Sequence, residues 1–306
     1  MITGLLNDMK RILFYAVLVM AAVACTSRDE WKADHVIFIG LDGWGSFSVE
    51  KADMPNVKSL MAEGCYTLGK RAVLPSSSAV NWATMFMGAT PESHGHTEWN
   101  SYIPEIPSFV IQKNGKFPTV FQILDDRYPE VEAGAVYDWE GIRHLIDTLA
   151  FDYYAQTPDY KEYPEGLSEM AARYIIEKKP TLGLFIFDRP DHAGHAAGFD
   201  SPEYYSDLKE LDGYIGDIIT AVKEAGIYDD TIIIITSDHG GTGRGHGGKS
   251  YMEIDTPFII SGKNVRKDGE FTRPMMQFDV AATVAEIFGL DTPDVWRAKS
   301  MSQVFE

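Results

Sequence analysis

The sequence predicts an α/β domain whose central sheet is mostly parallel and carries helices on both faces. Three apolar runs are the first observation: VIFIGL at residues 36–41, LGLFIF at 182–187 and TIIII at 231–235. None alternates with polar residues, so each is expected to be a strand buried on both sides. The second observation is order. Segments of helical spacing alternate with strands along the chain, without an internal repeat, as a parallel sheet with crossover helices requires. The third is that each run leads straight into carboxylates: Asp42, then Asp188 and Asp191, then Asp238.

Taken in order, residues 1–25 stand apart. Lys10 and Arg11 precede an apolar run at 12–24 that ends in small residues and Cys25. The run is shorter than the ~20 residues of a membrane-spanning helix and has the length of a signal-peptide core. Met9 is a plausible start, with residues 1–8 as an upstream extension. AAVAC has the pattern of a bacterial lipoprotein signal, so Cys25 is expected to be lipidated and to attach an exported protein to a membrane, facing the periplasm or displayed at the cell surface. A polar tether follows at 26–34, and then a single domain over 35–306. After the strand at 36–41, a helix is expected at 54–63, with Pro55 near its start and Gly64 as its stop. Residues 72–74 look strand-like and 79–87 helical. Residues 96–117 are proline-bearing and aperiodic, an irregular insertion. A helix at 118–128 and a strand at 131–137 lead to a second insertion, 138–164, rich in aromatics and equally suited to walling a pocket or packing as a loop. Helices are then expected at 165–178, 202–225 and 278–288, and a short strand at 256–261.

Composition limits the partners. The chain has 306 residues, 45% hydrophobic and 24% charged, with a net charge of −18. Loss of residues 1–24 removes one acidic and two basic residues, leaving −19. Such a chain lacks the clustered Lys and Arg that nonspecific nucleic-acid binding needs, so no nucleic-acid partner is expected. The two cysteines, Cys25 and Cys65, form no intrachain disulfide if Cys25 is acylated; Cys65 is then a small buried apolar residue.

The chemistry gathers at the strand ends. In a parallel sheet, Asp42, Asp191 with His195, and Asp238 with His239 and His246 all lie on one edge, where open α/β sheets bind ligands. Any one of them has an ordinary alternative as a turn former or satisfied histidine. Together, three carboxylates and three imidazoles suit two zinc ions or similar divalent cations. Two metals about 4 Å apart are a known device for phosphoryl transfer. Ser78 lies where a helix should begin; on its own it is a cap, but beside a dication and a helix N-terminus it is a candidate nucleophile.

The motifs GLDG, PSSSAVNWATMFMGATPESHG, RPDHAGHAAG, SDHGG and GHGG, in that order, resemble the alkaline phosphatase superfamily, and within it the type I phosphodiesterase/nucleotide pyrophosphatase branch. The resemblance runs from residue 35 to about 288. It implies an alkaline phosphatase-like fold and hydrolysis of a small phosphoester, a diester by preference, through a phosphoseryl intermediate on Ser78. It implies one zinc on Asp42, Asp238 and His239 and a second on Asp191, His195 and His246. It also implies that the Asn81 amide meets a phosphate oxygen beside the Ser78 N–H. The branch usually has Thr followed by Phe-Pro-Asn-His, where this chain has Ser78-Ala79-Val80-Asn81-Trp82, and a longer loop than the six residues between His239 and His246. No Cys-x-Pro-x-Arg sulfatase signature occurs, nor the Lys-x-Arg pair that some monoesterases use; VYDWEGI at 136–142 is the neutral wall expected to accept a second ester group. Arg244 and Lys249 are further phosphate-binding candidates or plain solvent-exposed charges, and His94 and His192 are expected to be supporting residues. A phosphomonoesterase is the near alternative. A non-catalytic ligand- or glycan-binding lipoprotein is the distant one.

Overall fold

A computed structural model describes residues 30–159 and 161–306. The signal segment at 1–25 with Cys25, and residues 26–29 of the tether, lie outside the described residues. The chain divides into Met1–Trp31, of which only Glu30 and Trp31 are described, and a compact unit, Lys32–Glu306.

The compact unit is built on a sheet of nine strands: β1 His35–Asp42, β2 Gly64–Arg71, β3 Ala133–Tyr137, β4 Tyr153–Gln156, β5 Leu182–Pro190, β6 Thr231–Thr236, β7 Asp255–Gly262, β8 Gly269–Glu270 and β9 Met275–Met276. Across the sheet the order is β4-β3-β5-β1-β6-β7-β2-β8, with β9 also on β2. The helices are α1 Pro55–Ala62, α2 Ser78–Met87, α3 Pro91–His94, α4 Val120–Arg127, α5 Gly141–Leu145, α6 Gly166–Lys178, α7 Asp191–Ala197, α8 Pro202–Glu224, α9 Tyr251–Ile254 and α10 Asp279–Ile287.

β1 lies at the centre, parallel to β5 on one side and β6 on the other. Burial on both faces explains the unbroken apolar runs. Ile37, Ile39, Leu41, Phe185, Phe187, Ile233 and Ile235 pack with Val57 and Leu60 of α1, Leu167 and Ile175 of α6, and Leu208, Leu211 and Ile215 of α8. Phe38, Leu182 and Leu184 point the other way, toward Met85 and Phe86 of α2, Val120 of α4 and Val280 and Val284 of α10. Each such side chain contributes roughly 1.5–3 kcal/mol by burial. The parallel alignment places the ends of β1, β5 and β6 side by side on one edge.

Three details differ from the sequence expectation. β7 is antiparallel to both β6 and β2, so the sheet is mixed on that side. The strand near residue 70 is Gly64–Arg71 rather than 72–74. Val73 cannot join a ladder because its N–H and C=O are both taken by the Asn81 side chain. Within 138–164 the chain forms α5 and an edge strand, β4, parallel to β3. Tyr153 and Tyr154 lie there at 37% and 39% exposure, and that half-exposure hides the strand from an apolar-run criterion. No described helix is long and apolar enough to cross a membrane.

Candidate metal centre

β1 ends at Asp42, and the next residue shows how tightly the three strand ends converge. Gly43 has φ +72, and a Cβ there would come within 2.7 Å of the Asp191 Cβ. Its N–H donates to Asp238 Oδ1 at 3.1 Å. A backbone turn that only glycine adopts cheaply thus lets the segments after β1, β5 and β6 touch. Asp42 Oδ2 accepts from the Trp82 indole N–H at 2.9 Å, which turns Oδ1 toward His239 Nε2 at 3.4 Å. Asp191 opens α7 directly after β5, and its Oδ2 lies 3.2 Å from His195 Nε2, one helical turn on.

The three histidines share one arrangement. Nδ1 of His239 lies 2.8 Å from the Gly240 carbonyl, Nδ1 of His195 2.9 Å from the Arg244 carbonyl, and Nδ1 of His246 3.1 Å from the Ser76 carbonyl. A carbonyl only accepts, so each Nδ1 carries a proton and each Nε2 is the nitrogen aimed inward, open to a cation once it holds no proton of its own. Nε2 of His195 and Nε2 of His246 face one another at 3.1 Å, an arrangement that needs a proton or a cation between them. His239 stacks on His246, with ring centroids 3.9 Å apart. Among the described residues, two groups have ligand atoms mutually within 4.8 Å: Asp42, Asp238 and His239, and Asp191, His239 and His246. The second replaces His195 by His239 relative to the expected trio, although His195 stays within 3.2 Å of both Asp191 and His246. The six expected ligands therefore form one continuous cluster.

Its oxygens are those of a cation site. Asp238 Oδ2 and Asp191 Oδ1 are buried without a hydrogen-bond donor; the nearest histidine nitrogens stand at 3.3 and 3.7 Å. Burial pushes Asp42 up to about 6, and burial with repulsion from Asp42 lifts Asp238 well above the usual carboxylate range. Asp188, the last acidic side chain of β5, is raised by burial and by Asp42, Asp191 and Asp138. Asp191 goes the other way, because His195, His239 and His246 outweigh its burial. His195 is raised to about 9 by Asp191, and burial lowers His246 to about 4. So much negative charge is costly to enclose unless positive charge joins it. The donor set, all carboxylate oxygen and imidazole nitrogen, fits zinc or a similar dication.

Ser78 is the first residue of α2, with Ser77 as its N-cap. Its Oγ lies 3.1 Å from His239 Nε2 and 3.4 Å from Asp42 Oδ1, at the edge of the cluster and at the positive end of the helix. Asn81 does not take the expected part. Its amide nitrogen donates to the carbonyls of Val73, Pro75 and Ser77, and its Oδ1 accepts from the Val73 N–H. Fully buried, it fastens the turn that delivers Ser78, and no N–H remains for a phosphate oxygen.

A cleft of about 490 Å³ opens beside the nucleophile, lined by Pro75, Ser77, Thr97, Glu98, Trp99, His195, Gly245, His246 and Gly247. Insertion 96–117 thus does supply a wall. Insertion 138–164 does not, and neither does 136–142, where Val136, Tyr137 and Ile142 are buried in the core. Arg244 and Lys249 are absent from the lining; Arg244 serves through its carbonyl. His94 is buried against Thr84, and His192 lies in a separate cavity with Arg189, Asp207 and Glu210.

Several supporting residues carry no sequence signal. The Ser76 hydroxyl ties Gly247 and Gly248 to the nucleophile turn. Lys70, fully buried on β2 and lowered to about 7 by that burial, donates to the Ser237 carbonyl and to Gln277 Oε1. Gln277 in turn donates to the Ser237 and Asp238 carbonyls. A period-two strand pattern gives no reason to place that lysine inward.

Residues 36–286 match the sequence profile of the type I phosphodiesterase/nucleotide pyrophosphatase family. The chain is similar to the bis(5'-adenosyl)-triphosphatase enpp4 of Mus musculus, 24% identical over 221 residues, 70% of this chain and 48% of that one. It is also similar to ectonucleotide pyrophosphatase/phosphodiesterase family member 1 of Homo sapiens, 25% identical over 222 residues, 70% of this chain and 23% of that one. The chain thus spans about half the length, or less, of these curated relatives. Among solved structures, murine ectonucleotide pyrophosphatase/phosphodiesterase 5 superposes with a TM-score of 0.70 at 14% identity, over 89% of this chain and all of that one. The 2-O GAG sulfatase BT1596 gives 0.72 at 13% identity, over 89% and 74%. Both show a shared fold.

Proposed function

The chain belongs to the type I phosphodiesterase/nucleotide pyrophosphatase family, and on that premise we propose that it is an exported, two-metal hydrolase of phosphodiesters. One observation carries the reading: three Nε2 atoms and three carboxylates converge in one cluster, two members of which, His239 Nε2 at 3.1 Å and Asp42 Oδ1 at 3.4 Å, lie against the Ser78 hydroxyl. Asp42, Asp238 and His239 would hold one ion, and Asp191, His195 and His246 the other. Bound dications supply Lewis acidity, favouring the ionised hydroxyl and neutralising charge on phosphoryl oxygens. The chain does the rest. Ser78 Oγ, fixed by the turn that Asn81 braces, attacks phosphorus in line; the ester oxygen opposite departs, and water then cleaves the phosphoseryl bond. The Ser78 N–H, at the first position of α2, would meet an equatorial oxygen.

The cleft favours a diester over a monoester. Among the described residues, no lysine or arginine lines it, so the second negative charge of a monoester finds no side-chain partner, whereas a diester's second organic group finds Pro75 and Trp99. Small phosphoesters such as those named for the relatives are the substrate class. Export, with acylation at Cys25, is part of the same reading and is checked by incorporation of labelled palmitate into the wild-type chain and its absence in Cys25→Ser.

The test is a comparison of kcat/KM on 4-nitrophenyl phosphate and bis(4-nitrophenyl) phosphate, with zinc counted per chain. We expect the diester to be preferred and close to two zinc ions bound. Ser78→Ala is expected to abolish turnover with zinc content unchanged. A monoester preference of orders of magnitude would overturn the diester assignment. Turnover of neither substrate, with less than about one zinc per chain, would instead favour a binding protein.

A further inference from the structure

His195 and the short glycine loop that ends in His246 hold one another. The His195 side chain is 45% exposed, and its Nδ1 leans on the carbonyl of Arg244, at the tip of that loop. The tip is a tight turn, closed by hydrogen bonds between Thr242 and Gly245 in both directions, at 2.9 and 3.1 Å. A third element has to fasten the pair to the body of the protein.

Phe199 is placed to do so. Its N–H donates to the Gly243 carbonyl at 2.8 Å, one residue before Arg244 on the turn. Its ring is 5% exposed and stands T-shaped to His195, with centroids 5.9 Å apart at 76°, and to His246, at 6.5 Å and 81°. Such contacts have a preferred geometry and so favour one orientation of each imidazole. The ring also packs on Tyr204, at 5.6 Å between centroids, whose hydroxyl donates to the Gly43 carbonyl after β1 at 2.8 Å. Two glycines seat it. A Cβ on Gly194, the residue before His195, would come within 2.6 Å of the Phe199 Cζ, and one on Gly241 within 2.4 Å. One ring therefore spans α7 and the glycine loop. Asp42, Asp238 and His239 have other supports: all three are buried, Asp42 accepts from the Trp82 indole, and Asp238 accepts from the Gly43 N–H.

We propose, resting on the two-metal reading above, that Phe199 is a positioning residue for the second ion. It sets His195, and the loop that carries Arg244 and His246, at the spacing a dication needs, while the first ion is held without it.

The experiment is stepwise zinc titration against a chromogenic chelator on the full chain, for wild type, Phe199→Leu, Gly241→Ala and the double variant, beside thermal unfolding of the metal-free forms. Two ions are expected in the wild type. In Phe199→Leu the first should bind as tightly as in the wild type and the second about tenfold to a hundredfold more weakly. Gly241→Ala keeps the ring but takes its seat; it should weaken the second ion likewise, and it reads the same contact if the leucine variant does not fold. Leucine leaves room for the alanine methyl, so the loss in the double variant should be smaller than the two single losses combined. Raising free zinc should restore kcat of Phe199→Leu on bis(4-nitrophenyl) phosphate, which a general loosening of the fold would not allow. Two ions bound as tightly as in the wild type in both single variants overturn the positioning role, whatever the metal-free Tm does. Equal weakening of both ions overturns it too, since the ring would then support the fold and not the second site. A wild type that binds fewer than two zinc ions overturns the two-metal reading, and the role of Phe199 with it.

Discussion

Replacing Asn81 with leucine separates the two parts this residue can be given. The leucine keeps the volume but removes one acceptor and one donor-bearing nitrogen from a site with no access to water. Of the groups Asn81 touches, the Pro75 carbonyl still accepts from the Ser77 N–H, and the Ser77 carbonyl from the Asn81 backbone N–H. The N–H and C=O of Val73 lose the partners the structure gives them. Two buried, unsatisfied backbone groups at roughly 1–3 kcal/mol each imply a loss of about 3 kcal/mol. For a domain of this size that corresponds to a fall in Tm of roughly 6–12 °C. The measurement is thermal unfolding of metal-free wild type and variant, which keeps ion binding out of the comparison, beside kcat of the zinc-loaded forms. A loosened nucleophile turn should lower kcat as well, and lower kcat more than it raises KM. Unchanged Tm with a hundredfold loss of kcat would contradict the bracing role, since that result belongs to an amide acting on the phosphoryl group alone.

Other outcomes follow from the same geometry. Chelation should lower Tm, and zinc should restore it; at free zinc a thousandfold above Kd each ion contributes about 4 kcal/mol, and equal melting with and without chelator would speak against a built-in site. Lys70→Met should stabilise the zinc-loaded protein near pH 7, because burial drives that lysine from 10.5 down to about 7. The folded state then gives up its proton before the unfolded chain does, so the wild type gains stability as pH rises from 7 to 10.5. The variant's advantage, up to about 5 kcal/mol at about pH 7, should shrink across that window in denaturation experiments, and an advantage independent of pH contradicts a charged lysine there. Gly43→Ala should cost about 2 kcal/mol or more, from the φ of +72 and the 2.7 Å approach to Asp191. It should also lower zinc per chain, read by metal analysis; normal zinc content with normal Tm would show that the strand ends are less tightly joined than their close approach at Gly43 indicates.

The central strands and the ligand cluster were legible for one physical reason. A strand buried on both faces has to be apolar nearly throughout, so the first polar residue after 36–41, 182–187 or 231–235 falls within two residues of a strand end. Parallel order then puts Asp42, Asp191 and Asp238 together without further information. What the sequence leaves open is side-chain commitment. Nothing in PSSSAVN says that the Asn81 amide is spent on Val73, Pro75 and Ser77, because that depends on how the turn closes. Strands toward the sheet margins fail for a related reason: β4 and β2 are covered unevenly, and GCYTLGKR reads as a polar segment until β7 is laid beside it. Lys70 is hidden in the same way. Its inward direction is set by the register of β2 against β7, with Lys70 opposite Thr256.

The hydrogen bond from His246 to the Ser76 carbonyl, with the Ser76 hydroxyl fastened to Gly247 and Gly248, makes two distant stretches of chain a single transplantable part. Anyone wishing to graft a longer glycine loop from a relative, to change what enters the cleft, would have to move residues 72–78 along with residues 244–249. A loop exchanged alone would arrive with a histidine whose tautomer nothing selects, and a nucleophile turn with its outer strut removed.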